Sequence, residues 1–398
     1  MRNSRLEQCL LMIGLVALAA TRSLSGQAPA GQPPASCDAI GDVQFVCGQN
    51  GPEDLVVVPG SQWVVASSYG GRGGIMLIRV SDRMSSVAYP GATPRERPDT
   101  KTYNTCPGVP DAAFKAKFLT HGLYLQAGNN SVHKLFVVVH GGREAVEVFE
   151  LDARPQMPTL TWIGCAVAPD PIGLNSVRAL PDGGFIATNF LPRGTQMGSI
   201  QKGEKNGELW EWHTASGWQK VPGSEASGAN GLEMSEDGRT LYVAAWGSQS
   251  FFRLSRGQGK PEREEVPLGF RVDNIRWSRD GSILAAGQGG NAPTFTTQVV
   301  KIDPKTLKVT ETVNRPPVGP FSAGTVAVEI GKDYWVGSFR GDRIAVFPTA
   351  KQDLTPLSHC HFCFQTYPNV KPCTTSAGRS PSGAGTANPN SSGVNPFG

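Results

Sequence analysis

Residues 229–238 (ANGLEMSEDG) and residues 272–281 (VDNIRWSRDG) share one pattern. A small polar side chain stands near the front, a strand-like stretch follows, and an Asp-Gly pair suited to a hairpin turn ends it. Four more segments fit the frame: 53–60 (EDLVVVPG), 121–128 (HGLYLQAG), 175–183 (NSVRALPDG) and 323–331 (AGTVAVEIG). In each, a glycine falls seven or eight positions after the lead residue, and an apolar strand such as TLYVAAW or YWVGSF comes next. The leads are Glu53, His121, Asn175, Asn230, Asp273 and Ala323, spaced 43 to 68 residues apart. A period of roughly 40–50 residues per four-stranded sheet is that of propeller blades. The fold expected is all-β, a six-bladed β-propeller with a metal site in its central channel.

Composition agrees. The 398 residues include 48 Gly and 31 Pro, too many helix breakers for a helical bundle. Apolar residues make up 39% and charged ones 18%, enough to bury a core. The formal net charge of +4 is small, and much of the surplus lies near the ends, so no concentrated basic face for nucleic acid is expected.

Residues 1–19 read as a cleaved signal peptide: Arg2 and Arg5 precede a short apolar run from Cys9 to Ala20, in which Ala17-Leu18-Ala19 fits the small-x-small cleavage rule. That run is too short to span a bilayer, so no stable membrane insertion is expected after cleavage, and the protein is expected to be secreted or periplasmic. Residues 20–36 and 374–398 are small, polar and rich in Pro and Gly, and read as a disordered linker and tail around a body at 37–373. Seven cysteines lie outside the leader. Cys106 and Cys165 form a plausible pair, and others are expected to join the first strand to the C-terminal segment. The run His359-Cys360-His361-Phe362-Cys363 reads as disulfide chemistry rather than zinc, for it lacks a second spaced pair.

In a propeller, equivalent positions of all blades surround one axis, so the lead residues are expected to face the channel together. Two carboxylates with two or three amide oxygens make a hard cage. Such a cage suits Ca²⁺, which takes 6–8 oxygens; zinc would prefer His and Cys. The expected ligands are Glu53, Asn175, Asn230 and Asp273, with Asn274 adding a further amide. The competing reading is a channel of hydrogen-bonded polar side chains and water. Asp54, with the Leu123 carbonyl, is the candidate holder of a second, deeper ion. His121 leads its blade and His140 ends the next strand, so the two are expected at one mouth as a proton-passing pair.

These residues resemble the paraoxonases, calcium-dependent lactonases and arylesterases. The matching stretches are 51–60 (GPEDLVVVPG), 120–125 (THGLYL), 135–152 (LFVVVHGGREAVEVFELD), 174–176, 229–238 and 272–275. The resemblance implies a six-bladed propeller in which Glu53, Asn175, Asn230, Asp273 and Asn274 hold a catalytic Ca²⁺. It implies a histidine dyad at His121 and His140, and part of a structural calcium site at Asp54 and the Leu123 carbonyl. Two departures stand out. Ser176 replaces a family Asp, which weakens the second ion site, and Gln288 stands where a histidine would be expected. The wider gluconolactonase-like and regucalcin-like propellers share the Glu/Asn/Asp centre.

The function expected is calcium-dependent hydrolysis of a small-molecule ester or lactone. The metal polarises the carbonyl, and His121 with His140 handles the proton; alternatively Asp273 or a metal-bound hydroxide does so and the histidines only shape the pocket. Phe190, Trp246 and Phe321 are candidate lining, under loops 66–74 and 190–209. The rivals are a non-catalytic, ligand- or protein-binding propeller with a structural calcium, and a strictosidine-synthase-like condensing enzyme. Fold alone does not separate them.

Overall fold

The computed structural model describes residues 36–257 and 259–349. The expected signal peptide, nearly all of the linker, the Cys/His segment at 359–373 and the tail lie outside the described residues. Six sheets follow one another along the chain, each with its earliest full strand on one edge. The inner strands are Leu55–Val57, Leu119–Gln126, Leu174–Ala179, Ala229–Met234, Arg271–Trp277 and Gly324–Ile330. They belong to blades I to VI in that order. The sixth blade takes its outermost strand from the other end of the body: Gln44–Cys47 pairs antiparallel with Arg343–Pro348 and closes the ring.

Six buried apolar clusters hold the ring, one between each pair of neighbouring blades. The cluster between blades VI and I, for instance, joins Val326, Val328 and Trp335 to Leu55, Val64 and Ile78. Both faces of every blade are thus covered, which is why the strands read as continuous β-branched and aromatic runs rather than clean alternation. Blade II carries an extra strand, Arg95–Glu96, parallel to Thr159–Val167. The segment leading from it is stapled back by the Cys106–Cys165 disulfide, as the sequence suggested. The other disulfide corrects an expectation. Cys47 pairs with Cys37, ten residues away, rather than with a C-terminal cysteine.

One irregularity recurs. The ladder between the first and second strands shifts register between Thr120 and Leu123, Leu174 and Val177, Ala229 and Leu232, Val272 and Ile275, and Gly324 and Ala327. In each of these five blades two consecutive residues oppose one. A bulge of this kind breaks the two-residue alternation and bends the strand, so that neighbouring side chains turn to one side. The bulged pairs are His121-Gly122, Asn175-Ser176, Asn230-Gly231, Asp273-Asn274 and Thr325-Val326. In blade I, Glu53-Asp54 stands in the equivalent place, just before the Leu55–Ala66 pair. The register moves the sixth lead: the residue equivalent to Glu53 is Thr325, not Ala323. Its hydroxyl donates to the Glu53 carbonyl at 2.6 Å.

The second bulge position is crowded. A Cβ on Gly231 would lie 2.5 Å from the Asp273 carbonyl oxygen of the next blade, and Gly122 meets the Asn175 carbonyl in the same way. Gly231→Ala is therefore expected to destabilise the protein by about 1–3 kcal/mol in denaturant unfolding, because the backbone of blade V has to give way. Gly198→Ala, in the short helix Met197–Gln201 with open space around its Cβ, is expected to be neutral or slightly stabilising.

Candidate functional site

The bulges bring the predicted residues together at one end of the channel, although up to 221 positions separate them in the chain. Asn274 Nδ2 donates to Glu53 Oε1 at 2.5 Å. His121 Nε2 lies 3.8 Å from Glu53 Oε2 and 3.4 Å from Asn175 Nδ2. Asn230 donates to Asp273, whose Oδ2 also accepts from Gln288 Nε2 at 2.7 Å. All five expected metal ligands are buried, with Glu53 only 1% exposed.

The amides share a telling orientation. Asn175, Asn230 and Asn274 each turn a nitrogen toward a neighbouring acceptor. Their Oδ1 atoms, together with Glu53 Oε2, are buried without any hydrogen-bond partner. Buried polar atoms are almost always satisfied, so four unpaired oxygens in one small region are an acceptor set without a donor. Burial and the negative neighbours Asp273 and Asp54 drive the Glu53 carboxyl well above the usual range. Burial likewise raises Asp273, against the pull of the Gln288 and Asn230 donors. Two buried carboxylates and three inward amide oxygens fit a hard divalent cation such as Ca²⁺. Among the described residues no three His, Cys, Asp or Glu side chains form a metal-binding group by themselves, and it is the amides that complete this set.

At the place expected for the second ion, Arg276 Nη2 is paired with Asp54 Oδ2 and donates to the Leu123 carbonyl at 2.9 Å. The Leu123 N–H donates to the same Asp54 oxygen at 2.6 Å.

The histidines do meet. His121 Nδ1 lies 3.0 Å from His140 Nε2, and His140 Nδ1 lies 2.8 Å from Glu144 Oε2. The carboxylate fixes the tautomers along this row. His140 carries its proton at Nδ1, so its Nε2 accepts from His121 Nδ1–H, and His121 Nε2 is left with a lone pair facing the cage. Burial, then the neighbouring His140, holds His121 well below the ordinary histidine value, so it is neutral at pH 7. Glu144 is pinned by its other oxygen, which accepts from the Leu174 N–H at 2.6 Å. Tyr69, half-exposed on the loop after Trp63–Ser67, lies over His121 with ring centroids 4.3 Å apart.

Gln288 accepts from the Trp246 indole at 3.1 Å, and Phe190 packs edge-on to that ring at 5.9 Å. Those two expected lining residues therefore pack together, and Gln288 links Trp246 to Asp273. Phe321 does not line the site. It is 2% exposed and belongs to the core between blades V and VI, against Phe347. Sequence reasoning missed Glu144, Tyr69, Thr325 and Arg276. Only Glu144 left a readable signal, an acid four residues beyond His140 across a Gly-Gly turn.

Comparison with protein-family models finds no match, and comparison with curated proteins finds none either. Among solved structures, the chain is similar to a luciferin-regenerating enzyme at 14% identity and a TM-score of 0.48, over 76% of this chain and 92% of that one. It is similar to a candidate gluconolactonase at 14% and 0.48, over 77% and 92%. It is also similar to a calcium-binding regucalcin from Agrobacterium tumefaciens at 14% and 0.45, over 76% and 90%. No residue role in this chain follows from these likenesses.

The row of hydrogen bonds has a direct spectroscopic consequence. In wild type, imidazole ¹⁵N signals should report His140 protonated at Nδ1. Glu144→Gln should shift that population toward the Nε2 tautomer and leave the backbone spectrum largely unchanged.

Proposed function

We propose that this protein is a calcium-dependent hydrolase of small-molecule esters or lactones, with one Ca²⁺ held by Glu53, Asn175, Asn230, Asp273 and Asn274. The observation that carries the reading is the set of four unpaired buried oxygens, three amide Oδ1 atoms and Glu53 Oε2, beside the buried Asp273 carboxylate. When bound, the ion supplies Lewis-acid polarisation of a carbonyl oxygen and stabilisation of the charge that develops on it.

The chain's own residues supply the proton path. His121 Nε2, neutral and facing the cage, takes a proton from an attacking water. Its Nδ1 proton passes to His140 Nε2, and Glu144 stabilises the imidazolium so formed. Gln288 and Asn230 hold Asp273 in place. Phe190, Trp246 and Tyr69 supply aromatic surface near the site. A purely structural ion would leave a half-buried, tautomer-fixed histidine pair without a task, which favours the catalytic reading over the binding module. The two disulfides fit an oxidising compartment, and we place the mature protein outside the cytoplasm. Among the described residues no helix is long and apolar enough to cross a membrane.

Purified protein should hydrolyse an aryl acetate or a five- or six-membered lactone, lose that activity in a chelator and regain it with Ca²⁺. Asp273→Ala should lower kcat/KM more than about 100-fold, beyond what loss of a residue behind a metal ligand costs. His121→Gln should lower kcat by about 10²–10⁴ while Ca²⁺ still raises the melting temperature. Hydrolysis that is indifferent to chelation would overturn the metal's role. Calcium binding without hydrolysis of any ester or lactone tested would leave the binding module.

A further inference from the structure

Below the lead ring, two more rings of side chains descend the channel. The second bulge positions supply Asp54, Gly122, Ser176, Gly231, Asn274 and Val326. Two residues further along the inner strands come Val56, Tyr124, Arg178, Glu233, Arg276 and Val328. Arg276 belongs to this deepest ring and reaches up into the one above. It is 7% exposed, and every nitrogen of its guanidinium has an acceptor. Nε donates to the Leu55 carbonyl at 3.2 Å, and Nη1 to the Ile275 carbonyl at 2.8 Å. Nη2 serves Asp54 and the Leu123 carbonyl. One side chain of blade V thus ties together blades I, II and V at their crowded centre. Arg178 of blade III, two blades away, behaves similarly: it bonds Glu233 of blade IV at 3.0 Å and lies over the Tyr124 ring at 4.1 Å.

We propose that Arg276 is a tethered cation that closes the position between Asp54 and the Leu123 carbonyl, so that the channel takes one divalent ion rather than two and its floor needs none. The charges of the three rings agree. Glu53, Asp54, Asp273 and Glu233 face Arg178 and Arg276, and a single divalent ion balances the remainder. Ser176 fits as well. Where a carboxylate would help hold a second ion, this chain has a neutral hydroxyl, and Arg276 already supplies the positive charge. A guanidinium suits the position because its planar fork reaches several carbonyl and carboxylate oxygens at once and keeps its charge when buried. The one-ion half of this proposal rests on the calcium reading above. The role of Arg276 stands apart from it.

The test combines metal content with melting. Wild-type protein dialysed against CaCl₂ and assayed by elemental analysis should carry one Ca²⁺ per chain. Wild type, Arg276→Lys and Arg276→Met are then melted in chelator and in calcium. Arg276→Met, which leaves Asp54 buried without its partner, should melt about 5 °C or more below wild type in both buffers. Arg276→Lys, which keeps the charge and loses the fork, should fall in between. Two ions per wild-type chain would overturn the proposal, and so would Arg276→Met melting with wild type in chelator. No bound ion would sink the calcium reading alone, and the melts in chelator would still decide the role of Arg276. If Arg276→Met does not fold, Arg276→Gln melted beside Arg276→Lys in chelator decides: the neutral variant melting below the charged one supports the tethered cation, and equal melting temperatures refute it.

Discussion

Everything at the channel depends on a local misfit in strand pairing. A strand that alternates strictly offers the axis every second residue. Here five inner strands each carry one residue too many against their partner, at the same height. The consequence is a double layer: acids, amides and a histidine above, and a second set with Asp54 and Asn274 just beneath. Extra turns or loops would give more polar atoms but not this convergence, because only a repeated kink in a closed ring aims every blade at the same point.

The crowding that follows selects residue type. At the second bulge position the inner strands come so close that glycine stands in two blades and serine in a third, while Asn274 fits by bonding directly to Glu53. The lead position has more room and carries the chemistry. Close backbone approach accounts for the glycines of the lower layer, and polarity sorts the upper one. Cohesion comes from elsewhere, from the six apolar clusters between blades, so the axis can hold unpaired oxygens and buried carboxylates that would be intolerable in the only core of a smaller domain.

Much of this was legible in the sequence, for a physical reason. A closed ring repeats its geometry, so the frame beginning at Asn230 or Asp273 recurs wherever the same turn and bulge recur. Glu53, His121, Asn175, Asn230, Asp273 and Asn274 could be found by that repetition. The sixth lead slipped because the count was anchored on the turn glycine. Pairing, not turn position, sets which residue faces inward, and it selects Thr325 over Ala323. Arg276 and Glu144 were hidden for another reason: each acts through partners distant in the chain. Arg276 looks like an ordinary exposed strand residue until Asp54 and Leu123, more than 150 positions away, are set beside it. Phe321 misled in the opposite direction. An aromatic near a predicted mouth reads as lining, yet the packing of blades V and VI claims it.

The strand Gln44–Cys47 carries a temporal consequence. It is among the earliest of the described residues to be made, yet its only sheet partner among them, Arg343–Pro348, is among the last. Until that partner exists, the first segment has a free hydrogen-bonding edge, and the sixth blade stays incomplete. Ring closure is thus a late event that joins opposite ends of the propeller, with nearly all of its described strands inside the loop. Birth order and assembly order run against each other, and an unfinished ring exposes an open strand edge for as long as the two remain out of step.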